Sequence, residues 1–234
     1  MIRSILFNLI FYPVFISYIA MMYPITLFCS PEMTLKLSFR PVTRWLVFCL
    51  KHFAGIDHKI TGFENIPNGR IIIGCNHQSA WETFIFSILF DNLAIVIKKE
   101  LLKKPIAGLY FKRLGCIPID RDSPVKAIKT LLKFGKEASE NGKSILIFPN
   151  GTRSSVNEHV EYKSGIFALY KSLEIPVVPA HVDSGKHWGR NSFKKIPGTI
   201  HLEFKSPIMP GLNKDEFFEK FDKDMENSNQ ETSL

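Results

Sequence analysis

The 234-residue chain has no C-x-x-C pair, no G-x-G-x-x-G turn, no internal repeat and no charged side chain between Ser4 and Pro31. Without the glycine fingerprint there is no dinucleotide-binding signature, and without a period there is no solenoid or propeller. The four cysteines (Cys29, Cys49, Cys75 and Cys116) are widely spaced and read as reduced, mostly structural thiols, which fits a cytosolic redox environment. The apolar start also lacks a small-residue cleavage site, since Tyr23–Phe28 offers none and Cys29 follows the bulky Phe28. Membrane attachment without a cleaved secretory or lipoprotein signal is the expectation. Negative charge is in short supply as well: the formal net charge is +8 and the pI near 9.3. Nucleic acid, anionic lipid, a phosphorylated substrate or an acidic carrier protein are the partner classes this permits.

What is present begins with that uncharged N-terminus. About 20 apolar residues suffice to span a bilayer as a helix, but Pro13 and Pro24 predict a kinked or broken one. Pro31 to His52 is helical in pattern, with Leu35, Phe39, Val42, Leu46, Cys49 and Phe53 on one stripe and Lys36, Arg40, Arg44 and Lys51 outside it. Such a helix can lie in the membrane interface, its apolar face in lipid and its bases among anionic head groups. A buried pair of core helices is the competing reading.

From Ile60 onward strands alternate with helices. The expected strands are 70–75, 93–97, 116–119, 143–148, 177–181 and 200–205; the expected helices are 79–90, 105–114, 124–140 and 164–173. Alternation of this kind predicts an α/β fold with a largely parallel or mixed sheet flanked by helices. The chain divides into membrane-associating helices (1–58), a catalytic domain (59–221) and a polar, frayed tail (222–234).

Two strand ends carry the chemistry. Asn76-His77-Gln78-Ser79-Ala80-Trp81-Glu82 follows Ile71–Ile73, and Phe148-Pro149-Asn150-Gly151-Thr152-Arg153-Ser154 follows Ile145–Ile147. In the first, Ser79 and Glu82 fit a capping box, so Glu82 could merely satisfy a backbone amide. The same turn can hold its carboxylate against His77, fixing the tautomer and leaving the other ring nitrogen as a general base. In the second, Gly151 allows close backbone approach, Thr152 can donate a hydrogen bond and Arg153 offers a bidentate fork for phosphate. Taken alone, Asn-Gly after a strand is a turn. A further basic set, Lys98-Lys99-Glu100-Leu101 and Ile119-Asp120-Arg121, lies between them. Lys126, Lys129, Lys133 and Lys136 form a stripe that is either a solvated face or a dock for anionic membrane or an acidic carrier. His181, Asp183 and His187 could join His77 and Glu82 around a metal, but they lack the i, i+4 histidine pair of a helical zinc site.

In this order the blocks resemble the glycerolipid acyltransferase family, specifically its 1-acylglycerol-3-phosphate acyltransferases. The family carries an N-H-x-x-x-x-D box, a K-x-E-L…P…G…I-D-R block, an F-P-E-G-T-R box and a late V-P-V-x-P-like strand. Here these are Asn76-His77…Glu82, Lys98-Lys99-Glu100-Leu101…Pro105…Gly108…Ile119-Asp120-Arg121, Phe148–Arg153 and Ile175–Pro179, a resemblance covering about residues 60–207. Glu82 stands for the usual Asp and Asn150 for the usual Glu. The resemblance implies acyl transfer to lysophosphatidic acid, with acyl-CoA or acyl carrier protein as donor and neither metal nor resident cofactor. It implies His77 as base, Glu82 as its orienting carboxylate, and Lys98, Arg121, Asn150, Gly151, Thr152 and Arg153 on the acceptor. It places the enzyme on an anionic membrane surface, its active site facing the cytoplasm, and it makes nucleic acid no partner. The alternatives are an acyltransferase for another lysolipid, such as a lyso-ornithine lipid, or a non-catalytic lipid-binding protein.

Overall fold

In the computed structural model, which describes residues 1–156 and 161–231, seven strands form one sheet in the order β1-β7-β6-β2-β5-β3-β4. The strands are β1 (Ile56–Thr61), β2 (Ile72–Cys75), β3 (Leu93–Lys98), β4 (Ile117–Ile119), β5 (Ser144–Ile147), β6 (Val177–Val182) and β7 (Gly198–Phe204). β6, β2, β5, β3 and β4 all run parallel, whereas β7 is antiparallel to β6 and β1 is parallel to β7. The sheet is therefore mixed, and the carboxyl ends of its five parallel strands share one edge. That edge is where open α/β sheets bind their ligands.

Along β2 the side chains alternate between two cores: Ile71, Ile73 and Cys75 join one and Ile72 the other, as the two-residue strand period requires. The first core is covered by α1 (Ile2–Met21), α4 (Arg40–Cys49) and α5 (Trp81–Leu89), the second by α7 (Pro124–Glu140), α8 (Gly165–Leu173) and α9 (Lys214–Glu231). The short helices α2 (Tyr23–Phe28), α3 (Pro31–Thr34) and α6 (Ala107–Arg113) complete the set. β1 went unforeseen because Ile56, His58 and Ile60 alternate with charged Asp57 and Lys59. It is an edge strand with one half-covered face, and it starts at Ile56, inside the segment 1–58.

The N-terminal segment differs from expectation in two ways. α1 runs unbroken through Pro13, and Pro24 sits in the first turn of α2, where its missing N–H costs nothing. From Pro31 to Ala54 the chain stays helical through two π-helical turns, 35–39 and 50–54. The first relieves Pro41, which cannot donate to the Leu37 carbonyl four residues earlier; that carbonyl instead accepts the Tyr18 hydroxyl at 2.7 Å. More consequentially, the stripe read as lipid-facing is core: Val42, Leu46 and Cys49 are buried, and Leu46, Cys49 and Leu50 share a core with Phe7 and Phe11 of α1. Shape complementarity to the sheet face, which no periodicity reveals, decides this. α1 itself keeps its other side bare, with Ile2, Leu9, Ile16 and Met21 exposed. Its length and mean hydropathy of 1.8 would allow it to cross a membrane.

The tail is likewise not frayed where it is described. α9 runs to Glu231, and Phe217, Phe221 and Met225 at i, i+4 and i+8 give its first part an apolar stripe on the second core. Residues 232–234 lie outside the described residues.

Candidate functional site

The two strand-end motifs meet. His77 O accepts from the Ser154 backbone N–H at 2.8 Å and from the Ser154 hydroxyl at 3.2 Å, tying the loop after β2 to the loop after β5. Asn76 locks the first loop to β6: its side chain donates to Val182 O and accepts from Val182 N, both at 2.7 Å. The His77 ring then stacks on Phe148, with centroids 4.1 Å apart.

Its Nδ1 lies 2.8 Å from Glu82 Oε1. Glu82 is fully buried, and every contact on its carboxylate comes from a group able to donate. Oε1 also accepts the backbone N–H groups of Gln78 and Ser79 at 2.7 Å each, and Oε2 accepts the Ser184 hydroxyl at 2.8 Å. These donors stand in for the water that burial takes from the carboxylate. The two readings of Glu82 thus hold together, since it caps the turn before α5 and grips the histidine at once. The helix begins one residue later than a Ser79 cap implies, with Ser79 Oγ accepting the Trp81 N–H at 3.3 Å. With Nδ1 engaged, Nε2 is the ring nitrogen left to take a proton. Ser184 carries no sequence signal of its own, because its part depends on β6 lying beside β2.

Adjoining the pair is a cavity of about 930 Å³. Asn76, Gln78 and Phe148 border it on the histidine side. Val96, Ile128, Leu131 and Ile147 supply apolar wall, while Arg121, Lys163 and Lys214 supply positive charge. Of the predicted anion contacts, Arg121, Asn150 and Gly151 line this cavity; Lys98, Thr152 and Arg153 are not among its lining residues. Lys98 is part-exposed, 3.6 Å from Glu100, and Thr152 accepts a hydrogen bond from Arg190 at 3.3 Å. Gly151 has φ +72°, which calls for a glycine, and a Cβ there would lie 2.7 Å from the end of the Lys163 side chain, which would have to shift. Burial pulls the Arg121 guanidinium below its ordinary value, with Glu100 opposing, and its Nε has no partner. The Asn150 Oδ1 atom is buried and equally unpartnered. Arg121 and Asn150 therefore bring unused hydrogen-bonding capacity to this cavity. Lys163 and Lys214 escaped sequence reasoning, since lone lysines outside a motif look like solvated surface.

The metal set weighed from sequence does not converge. Asp183 accepts from His201 N at 2.7 Å, lies 3.2 Å from the His201 ring and pairs with Lys186, while His187 turns to Ile196 O. Among the described residues, a carboxylate trio of Glu100, Asp120 and Asp122 gathers elsewhere, beside Lys98 and Lys99. All four cysteines are free, and burial pushes the Cys116 thiol up to about 12, which leaves it inert.

Sequence comparison gives this mixed sheet, with a histidine–carboxylate pair at the end of its central strand, a family: residues 57–183 match the one described as Acyltransferase. The chain belongs to that family. It is similar to the 1-acyl-sn-glycerol-3-phosphate acyltransferase of Pseudomonas aeruginosa, at 36% identity over 182 residues, covering 76% of this chain and 71% of that one. The Bacillus subtilis enzyme of the same name is 34% identical over 155 residues, covering 64% and 73%. The crystal structure of the 1-acyl-sn-glycerophosphate (LPA) acyltransferase from Thermotoga maritima superposes with a TM-score of 0.78 over 100% of this chain and 98% of that one, at 21% identity, and shares the fold.

Proposed function

We propose that this protein transfers an acyl chain from acyl-CoA or acyl carrier protein to the free hydroxyl of 1-acylglycerol 3-phosphate, giving phosphatidic acid. The observation that carries the reading is the His77–Glu82 pair at 2.8 Å, beside a cavity with apolar wall and three cationic side chains, Arg121, Lys163 and Lys214. Nε2 of His77 takes the acceptor's hydroxyl proton as that oxygen attacks the thioester carbonyl. The tetrahedral intermediate collapses with loss of the thiolate, which receives the proton back from His77. The acceptor is itself the nucleophile, so no acyl-enzyme forms and no resident cofactor is required. Glu82 stabilises the imidazolium between the two steps. Arg121 and Lys163 meet the acceptor phosphate inside the cavity, and Arg153, with Lys98, supplies positive charge at its approach.

The same reading puts the enzyme on the cytoplasmic face of a membrane. Both ends of α1 are fastened to the catalytic domain, Ser4 to the backbone of Lys195 (2.9 Å) and the Ile19 carbonyl to Tyr110 (3.3 Å). A helix held at both ends against one domain suits burial in one leaflet better than a full span. The direct test incubates purified protein and a labelled acyl thioester with 1-acylglycerol 3-phosphate, the matching monoacylglycerol and a lyso-ornithine lipid. Label should pass to the phosphorylated acceptor. Preference for either other acceptor would replace this substrate assignment.

A further inference from the structure

We propose that the loop 184–197 is a second membrane-docking element, which enters the head-group layer of an anionic bilayer beside α1. Ser184 to Pro197 contains no acidic residue and four basic ones, Lys186, Arg190, Lys194 and Lys195. At its tip Phe193 and Ile196 are 56% and 46% exposed, with Lys194 and Arg190 also exposed around them. An exposed aromatic flanked by cations, with no acid near it in sequence, complements a surface that is apolar below and negative above.

The loop is built to hold that tip outward. Lys195 faces inward, its ammonium lying 5.2 Å from the Phe7 ring centroid and 5.0 Å from that of Trp188, and donating to the carbonyls of Ser192 and Phe193 at 3.1 Å each. The Ser192 hydroxyl donates to Lys194 O, and the Ile196 N–H to His187 O. Pinned in this way, Phe193 is preorganised for insertion, so little ordering cost falls on binding. The loop is also continuous with the membrane helix. Asn8 donates to Phe193 O at 3.1 Å, and Ser4 exchanges hydrogen bonds with Lys195. Asn8 lies next to Leu9, and Ile5, Leu9, Tyr12 and Ile16 form the bare stripe of α1. The commitment is to lipid rather than to a protein partner, because this continuity makes one surface of α1 and the loop. The inference rests on the membrane role of α1 given above, and not on the identity of the acyl acceptor.

Full-length Phe193→Ser, Ile196→Ser and Lys194→Glu should be compared with wild type by co-sedimentation with phosphatidylcholine vesicles, with and without phosphatidylglycerol. Each apolar substitution should weaken partitioning about fivefold on both vesicle types. Lys194→Glu should weaken it by a similar factor on the anionic vesicles alone, and high salt should abolish that difference. None of these residues borders the cavity, so turnover of a short-chain, monomeric acceptor should stay at the wild-type level and shows that the variants fold. Phe193→Trp should gain emission quenching by brominated lipid beyond that of the wild-type tryptophans. Unchanged partitioning in all three variants, or no added quenching, would overturn the docking assignment. Should no lysolipid be acylated, the proposed function falls while the vesicle measurements still decide this one.

Discussion

At the scale of single residues, the site turns on one carboxylate that holds a helix start, a strand end and a histidine together. Glu82→Gln keeps an oxygen for the Gln78 and Ser79 amides, and its amide nitrogen can donate to Ser184 Oγ, so the fold should survive. The charge that steadies the imidazolium is gone, however, and turnover should fall by about 10²–10⁴, the range for losing a general base, as it should in His77→Ala. Equal kcat in wild type and a folded Glu82→Gln would leave Glu82 as a cap only. Ser184→Ala strips the one donor from Oε2 and should lower kcat about tenfold without moving either KM. Ser184→Thr should recover most of it. Arg121→Ala, by contrast, should act chiefly on the acceptor KM, because the guanidinium lines the cavity and not the histidine pair. A changed donor KM with an unchanged acceptor KM would move Arg121 to the thioester.

Among the elements, α4 gives the sharpest test of core against interface. Leu46 is fully buried beside α1, so Leu46→Ala should cost about 2–5 kcal/mol of stability, read as a lowered unfolding midpoint in detergent. A lipid-facing leucine would cost the fold almost nothing. The loop before β7 offers a pH signature. Burial pulls Lys195 from 10.5 down to about 8, so between those values the unfolded chain holds a proton that the folded one lacks. Stability from this group must therefore rise with pH across that window and level off above it. Melts of wild type and Lys195→Met at pH 7.5, 9 and 10 should show wild type gaining on the variant. Parallel curves would mean the ammonium stays protonated in the fold.

For the whole molecule, the N-terminal helices are part of the core of the fold. Phe7, Phe11, Leu46 and Leu50 belong to the same core as Ile73 and Phe148. Deleting residues 1–52 should therefore yield insoluble protein rather than a soluble enzyme. Serine at the exposed Leu9, Ile16 and Phe28 should release the protein from membranes with little loss of stability. Cysteines placed at residues 2 and 219, in a background freed of the native four, should label from one side of the membrane. Labelling from opposite sides would establish a span.

Sequence alone determined the α/β alternation, six of the seven strands to within about two residues and the histidine and carboxylate of the site. Each of these is written in local signals: runs of β-branched residues, caps, and a motif whose partners lie five residues apart. The tertiary structure alone decided that the α4 stripe meets protein rather than lipid, and that the tail helix packs through Phe217 and Phe221. Only folding could add Ser184 and Lys163 to the site and give Asn76 its partner. Ser184 lies 102 residues from Glu82, and the Asn76 side chain bonds Val182 across 106. Such contacts exist because β6 lies beside β2, a pairing fixed by the packing of two whole sheet faces and by no short stretch of sequence.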